Sequence, residues 1–270
     1  MRGTSQASRD AAMREFDLVA TAASEDGIVI AEHLFAVVDA LDASGSLRRA
    51  LTDPARPGTD KASLVKQLFG SLDPRAVDAV IAFSSSRWSD EADLAESIDD
   101  AGELALFAHA DKAGTLAAVE EELFRVERVL TSERALLVAL SNRSATKEQR
   151  LSLFEDTFGG KLHPTTHALL TRVVGMPRGS RLIPAINALL EVAAARRDKS
   201  VANVTAAVEL TAAQRTRLGS ILREAYGRDM QINVAVDPEV LGGIRVQVGS
   251  EVVDGTVLGR LDEARRRLVG

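Results

Sequence analysis

The chain has 270 residues, which at about 150 residues per domain leaves room for one to three domains. Its 33 basic and 39 acidic side chains give a formal charge of −6, a sign that disfavours generic binding to a phosphate backbone. Cysteine is absent, so disulfides, thiolate catalysis, zinc ribbons and iron–sulfur clusters are excluded together.

Hydrophobic residues make up 46% and charged residues 27%, the balance of a folded soluble chain. Aromatics are only 4%, with one Trp and one Tyr, so the core is expected from Leu, Val, Ile and Ala, which favours helices. No apolar run approaches the roughly 18–20 residues of a membrane span, and the polar stretch Met1 to Asp10 opens no secretory signal. No direct membrane insertion is expected.

The first two thirds repeat themselves. Residues 32–70 set against 121–159, a constant shift of 89, are identical at 12 of 39 positions without a gap. The matches include Leu34/Leu123, Phe35/Phe124, Leu41/Leu130, Leu51/Leu140, Leu64/Leu153, Phe69/Phe158 and Gly70/Gly159, and most are apolar. After a one-residue slip, Leu72-Asp73-Pro74 meets Leu162-His163-Pro164. Such self-similarity is the mark of a duplicated unit.

Each repeat reads as helices. Ile28, Ala31, Leu34, Phe35, Val38 and Leu41 form an amphipathic stripe, and Leu116, Val119, Leu123, Val126 and Leu130 step by three and four. Thr52-Asp53-Pro54 stops the first helix region. Gly58-Thr59-Asp60 offers caps for the next helix, as Ser144 to Glu148 does in the second repeat. Asp73-Pro74 and His163-Pro164 start the following helices. We expect two small bundles of five or six short helices, residues 1–107 and 108–197. Their join near 105–115 leaves room for one helix running straight from the first into the second.

The last seventy residues change character. Ser200 to Glu209 is β-branched and short enough for a strand. Leu210-Thr211 leads into a helix with Leu218, Ile221, Leu222 and Ala225, which ends at Tyr226-Gly227. Ile232, Val234 and Val236 alternate, as do Ile244, Val246 and Val248, and Glu251 to Val253 gives another short strand. Asp254-Gly255 turns into a final helix with Leu258, Leu261 and Leu268. The fold class is therefore α+β, mostly α: two tandem helical bundles, then a small mixed β-α-β-β-β-α domain over 198–270.

Motifs that invite chemistry have plainer explanations. Gly242-Gly243 lacks the Lys-Ser/Thr of a phosphate loop and lies between strands, so it marks a backbone path that excludes a Cβ atom. His163 and His167 stand four apart, but Pro164 lies between them and His163 sits at a cap position, so no metal is expected. Glu120-Glu121-Glu122 and Asp99-Asp100 read as solvated helix faces. Arg265-Arg266-Arg267 favours the carboxyl end of the last helix, with contact to an acidic partner helix as the functional alternative. Trp88 reads as core packing, with a partner anchor as the alternative. Neither a Ser–His–Asp set, nor paired carboxylates, nor a dinucleotide fingerprint emerges, so no cofactor is expected.

Val236-Asp237-Pro238-Glu239-Val240-Leu241-Gly242-Gly243-Ile244-Arg245-Val246-Gln247-Val248-Gly249, followed by Val253-Asp254-Gly255-Thr256-Val257 and Arg260-Leu261, resembles the carboxy-terminal signature of F-type ATP synthase delta subunits. The mitochondrial counterpart of that family is the oligomycin-sensitivity-conferring protein. Leu51-Thr52-Asp53-Pro54 with Lys61, and Leu140-Ser141-Asn142 with Arg150, resemble a stretch of the family's helical domain. The helical domain appears twice here, as in delta subunits of actinobacterial type.

The resemblance implies a non-catalytic stator subunit that joins the alpha/beta head to the peripheral stalk, at the cytoplasmic face of the bacterial plasma membrane. It implies an amino-terminal helix of an alpha subunit and one or more b subunits as partners, and no nucleic acid. Asp237, Gly242, Gly243, Ile244, Val246, Gly249, Asp254 and Gly255 would shape the stalk-holding domain, and Trp88, Arg265 and Arg266 could touch partners. The duplication, with residues 1–107 as the extra copy, would lengthen or stiffen the connector, or bind a second alpha terminus. The alternatives are a free-standing helical adaptor or regulator, and an enzyme with an unannounced site.

Overall fold

The computed structural model describes residues 3–177, 181–199, 201–226, 230–238, 240, 243–249 and 251–254. They divide into two compact units, Met1–Val192 and Ala193–Gly270.

The first unit holds helices α1 (Gly3–Ala22), α2 (Gly27–Ala43), α3 (Gly45–Thr52), α4 (Gly58–Phe69), α5 (Pro74–Ser85) and α6 (Glu91–Lys112). A short 3-10 turn over Ser24–Asp26 links α1 to α2. Then come α7 (Leu116–Ser132), α8 (Arg134–Leu140), α9 (Lys147–Phe158), α10 (Pro164–Gly175) and α11 (Leu182–Lys199). A shift of 89 residues carries α2 onto α7 and α4 onto α9, end to end. At a shift of 90, α5 falls on α10.

The same shift of 89 brings α1 to within one residue of α6 at both ends. Thus α6 closes the first repeat, as α11 closes the second, and also opens the second, as α1 opens the first. The helix that crosses from the first repeat into the second, as the sequence had left open, is α6 itself, and it ends before α7. Gly114 at φ 70° turns the chain, and Thr115 N donates to Ala110 O at 2.8 Å, a glycine-terminated helix end.

Local chemistry sets the helix starts. Asp73 and His163 each accept from the backbone two residues on (Arg75 N at 2.9 Å, Thr165 N at 3.2 Å), with proline at the first helical position. Thr146 and Gln149 make a reciprocal capping box at α9. Helix α4 departs from expectation: Thr59 and Asp60 do not cap it. It begins instead from the Pro57 carbonyl, which accepts from Asp60 N and Lys61 N at 3.1 and 3.2 Å.

Buried Ile30, Leu34, Leu41, Phe83, Leu94, Ile98, Leu106 and Phe107 fill the first repeat, and Leu123, Leu130, Phe154, Leu169 and Leu170 the second. Each such side chain stabilises the fold by about 1.5–3 kcal/mol relative to exposure. Phe16 of α1 meets Phe83 edge-on at 6.5 Å.

In the second unit β1 (Val201–Ala206), α12 (Ala212–Tyr226), β2 (Gln231–Val236), β3 (Ile244–Val248) and β4 (Glu251–Asp254) form a sheet of order β2-β1-β3-β4 with one helix. β1 and β2 are parallel, as a helical crossover requires, and the other pairs are antiparallel. Leu218 and Leu222 of α12 cover Ala202, Val204, Val246 and Val248. Asn203, Asn233, Arg245 and Gln247 point away, exposed. The final helix expected with Leu258, Leu261 and Leu268 lies outside the described residues, as does the Gly227 cap.

Candidate functional site

The stretches that carried the helical-domain resemblance perform the same task twice. Lys61, 4% exposed, donates from Nζ to Ser84 O at 3.1 Å, at the carboxyl end of α5. Arg150, 89 residues on and also buried, donates from Nε to Val174 O at 3.0 Å and from Nη2 to Gly175 O at 2.9 Å, at the end of α10. A cation there satisfies carbonyls that have no helical partner and meets the negative end of the helix dipole. Burial pushes the Lys61 ammonium below its ordinary value, with Arg56 adding to the effect and Asp53 opposing it. Asp53 and Asn142 make matching turns onto Ala55 N and Ser144 N at 2.8 and 3.0 Å.

A second equivalence crosses helices. His33 Nδ1 accepts from Asp73 N at 2.9 Å, and Glu122 Oε2, at the matching position, accepts from His163 N at 2.8 Å. Glu122 is therefore half-buried and bonded, not part of a solvated acidic face as the sequence suggested. His163 caps α10, and His167 Nε2 meets Glu155 Oε1 at 2.5 Å, so the two histidines serve separate partners. Among the described residues no group of three His, Cys, Asp or Glu side chains is placed to hold a metal.

The two repeats meet at a buried ionic seam that sequence reasoning missed. Arg172 of α10, 7% exposed, donates from Nε to Asp99 Oδ1 of α6 and from Nη1 to Asp39 Oδ1 of α2, both at 2.6 Å. Its guanidinium stacks over the Phe35 ring of α2 at 4.7 Å. Lys147 of α9 adds a bond to Asp39 Oδ2 at 3.3 Å. The Phe35 ring fits because residue 102 is glycine: a Cβ there would collide with it. A charge inside the apolar run Leu169-Leu170-Thr171-Arg172-Val173-Val174 was the available signal.

Asp99-Asp100 is thereby corrected as well. Asp100 bonds Arg9 of α1 at 2.8 Å, and both carboxylates line a cavity of about 170 Å³ with Glu96, Glu103 and Arg172. The pair is packed against other helices, not solvated. Burial would raise Asp39, but the bonds and charges of Arg172 and Lys147 outweigh it and hold its carboxyl below the usual range. Burial pushes Glu103 well above the usual range, reinforced by Asp100 and Asp99 and opposed by Arg172 and Arg9. Asp100 is raised by burial against Arg9.

The remaining sequence-predicted residues are dispersed. Trp88 is half-buried in the α5–α6 loop, and its Nε1 donates to Phe83 O at 2.8 Å. Asp237 N donates to Ala206 O at 2.9 Å and its carbonyl accepts from Val240 N at 3.1 Å, which turns the chain out of β2. Gly243 (φ 84°) and Gly249 (φ 56°) bracket β3 in the left-handed region that glycine tolerates best. Val246 is buried under α12, Ile244 is half-buried, and Asp254 stands opposite Arg245 in the ladder. Gly242, Gly255, Arg265 and Arg266 lie outside the described residues.

Buried Lys61, Arg150 and Arg172 are thus held by helix-end carbonyls and by carboxylates of neighbouring helices. The family described as ATP synthase delta (OSCP) subunit matches residues 104–268, from within α6 onward. The chain is 52% identical to the ATP synthase subunit delta of Beutenbergia cavernae over 271 residues, covering 100% of each. It is 44% identical to that of Streptomyces avermitilis, over 98% of each, and 42% to that of Kineococcus radiotolerans, over 99% of this chain and 98% of the relative. These relatives therefore extend over the first repeat too. The chain belongs to the ATP synthase delta (OSCP) subunit family, and it is a non-catalytic component of the peripheral stalk. No helix among the described residues is long and apolar enough to cross a membrane.

Proposed function

We propose that this chain is the stator connector of a proton-translocating F-type ATP synthase, joining the alpha/beta head to the b-subunit stalk at the cytoplasmic face of the plasma membrane. The observation that carries this reading is the end-to-end match with actinobacterial delta subunits. Residues 1–107 and 108–197 serve as the head-facing repeats, which receive an amino-terminal alpha-subunit helix in a groove. Residues 198–270 hold the stalk. There Asp237, Gly242, Gly243, Ile244, Val246, Gly249, Asp254 and Gly255 are the family-signature residues of the stalk-binding domain, and Arg265 and Arg266 are candidate contacts to stalk carboxylates. Trp88 is a candidate head contact.

The mechanism is mechanical. Proton flow turns the rotor, the rotor torques the head, and ATP forms only if the head is held. The connector must resist lateral load without sliding. A helix common to both repeats and a charge clamp centred on buried Arg172 and Asp99 suit that need, because close-packed interiors deform little. On this reading the extra repeat, residues 1–107, stiffens the joint.

Membranes stripped of this chain and resupplied with it test the proposal. ATP-driven proton pumping should vanish on stripping and return on readdition, while the detached head still hydrolyses ATP. Unchanged pumping without the chain would overturn the reading in favour of a free-standing adaptor.

A further inference from the structure

The side chains of α2 that receive the second repeat are Phe35, under the Arg172 guanidinium, and Asp39, bonded to Arg172 and Lys147. A shift of 89 puts Phe124 and Arg128 at these positions on α7. The aromatic is kept, yet Phe124 is 52% exposed. The charge is reversed: Arg128 replaces Asp39 and lies 6.0 Å from the Phe124 ring, and Arg125 stands where α2 has Ala36. Arg125 pairs with Glu121 at 3.1 Å, but both side chains are about two-thirds exposed, so solvent screens that pair and it contributes little. The opposite face of α7, Val119, Leu123 and Val126, is buried in its own bundle.

We propose that the α7 face centred on Phe124 and Arg128 docks a helix of another subunit, with an apolar side chain on the ring and carboxylates against Arg125 and Arg128. The proposal rests on the stator reading above. The first repeat supplies the template, since the same face of the same fold takes up a helix pair there. The charge reversal supplies the chemistry, since a visiting carboxylate would meet Arg128 where Arg172 and Lys147 meet Asp39.

A second copy of this chain does not fit. Its α4–α5 carries Gly58 and Ala82 where α9–α10 carries Lys147 and Arg172.

The test uses whole ATP synthase purified from membranes with p-benzoylphenylalanine in place of Phe124. Illumination should link that position to one peptide of another subunit, with Asp or Glu three or four residues from the linked apolar site. R125E together with R128E should cut that yield by about ten-fold, the scale of one lost charge pair, with the thermal unfolding of the chain unchanged. Lysine at the partner carboxylates should restore it. Linkage only within this chain, no linkage, or a peptide without carboxylates would overturn the docking face while leaving the stator reading intact. A complex that purifies without this chain would overturn both.

Discussion

Lys61 and Arg150 stand 89 residues apart and end two different helices in the same way, each driving a buried cation into the final carbonyls of the helix packed beside it. The reach differs. Lys61 makes one such bond, whereas Arg150 also holds Gly175 O and Ala145 O, the latter at 2.6 Å.

Arg150→Met should therefore destabilise the protein more than Lys61→Met. Each buried acceptor left without a donor costs about 1–3 kcal/mol. Urea denaturation followed by circular dichroism should give a loss of about 3 kcal/mol or more at Arg150 and about 1–2 kcal/mol at Lys61. Equal losses would contradict the difference in bonding.

Arg172→Leu should cost about 3–5 kcal/mol, because Asp99 remains buried without its cation. Combining it with Asp99→Asn should recover part of that loss. A double-mutant cycle read by thermal unfolding should show a coupling above about 1 kcal/mol. Additive losses would mean that the pair does not act as a clamp.

Gly102→Ala should loosen the seam through a clash with the Phe35 ring, at about 1–3 kcal/mol. The added methyl has room once the ring is removed. Phe35→Leu in the same chain should therefore reverse part of the loss, whereas a purely helical effect of alanine would be stabilising and indifferent to residue 35.

Much of this was legible in the sequence. The shift of 89 exposed the repeat because identities at Leu34/Leu123 and Phe69/Phe158 recur on core faces, and strict alternation placed β2 and β3. The seam was not legible. Asp99 and Asp100 sit on a helix as adjacent acids, a pattern normally solvated, and only the docking of α1 and α10 removes them from water. The double use of α6 was only partly legible: the join near 105–115 left room for a shared helix, but its counterpart α1 lies ahead of the aligned identities.

Acidity should report on the seam. Glu103 is raised when folded, so it favours the folded state below its unfolded value and loses that contribution as pH rises through the folded one. Glu103→Gln fixes the uncharged form. Its melting temperature relative to wild type should therefore climb as pH rises above the unfolded glutamate value of about 4.3. A constant difference would place Glu103 in water.

Native mass spectrometry of complexes drawn from gently solubilised membranes through a tag on this chain tests the central claim most directly. The account predicts one copy of the chain together with alpha, beta, gamma and b subunits. Recovery of the chain alone, never with the head, would contradict it.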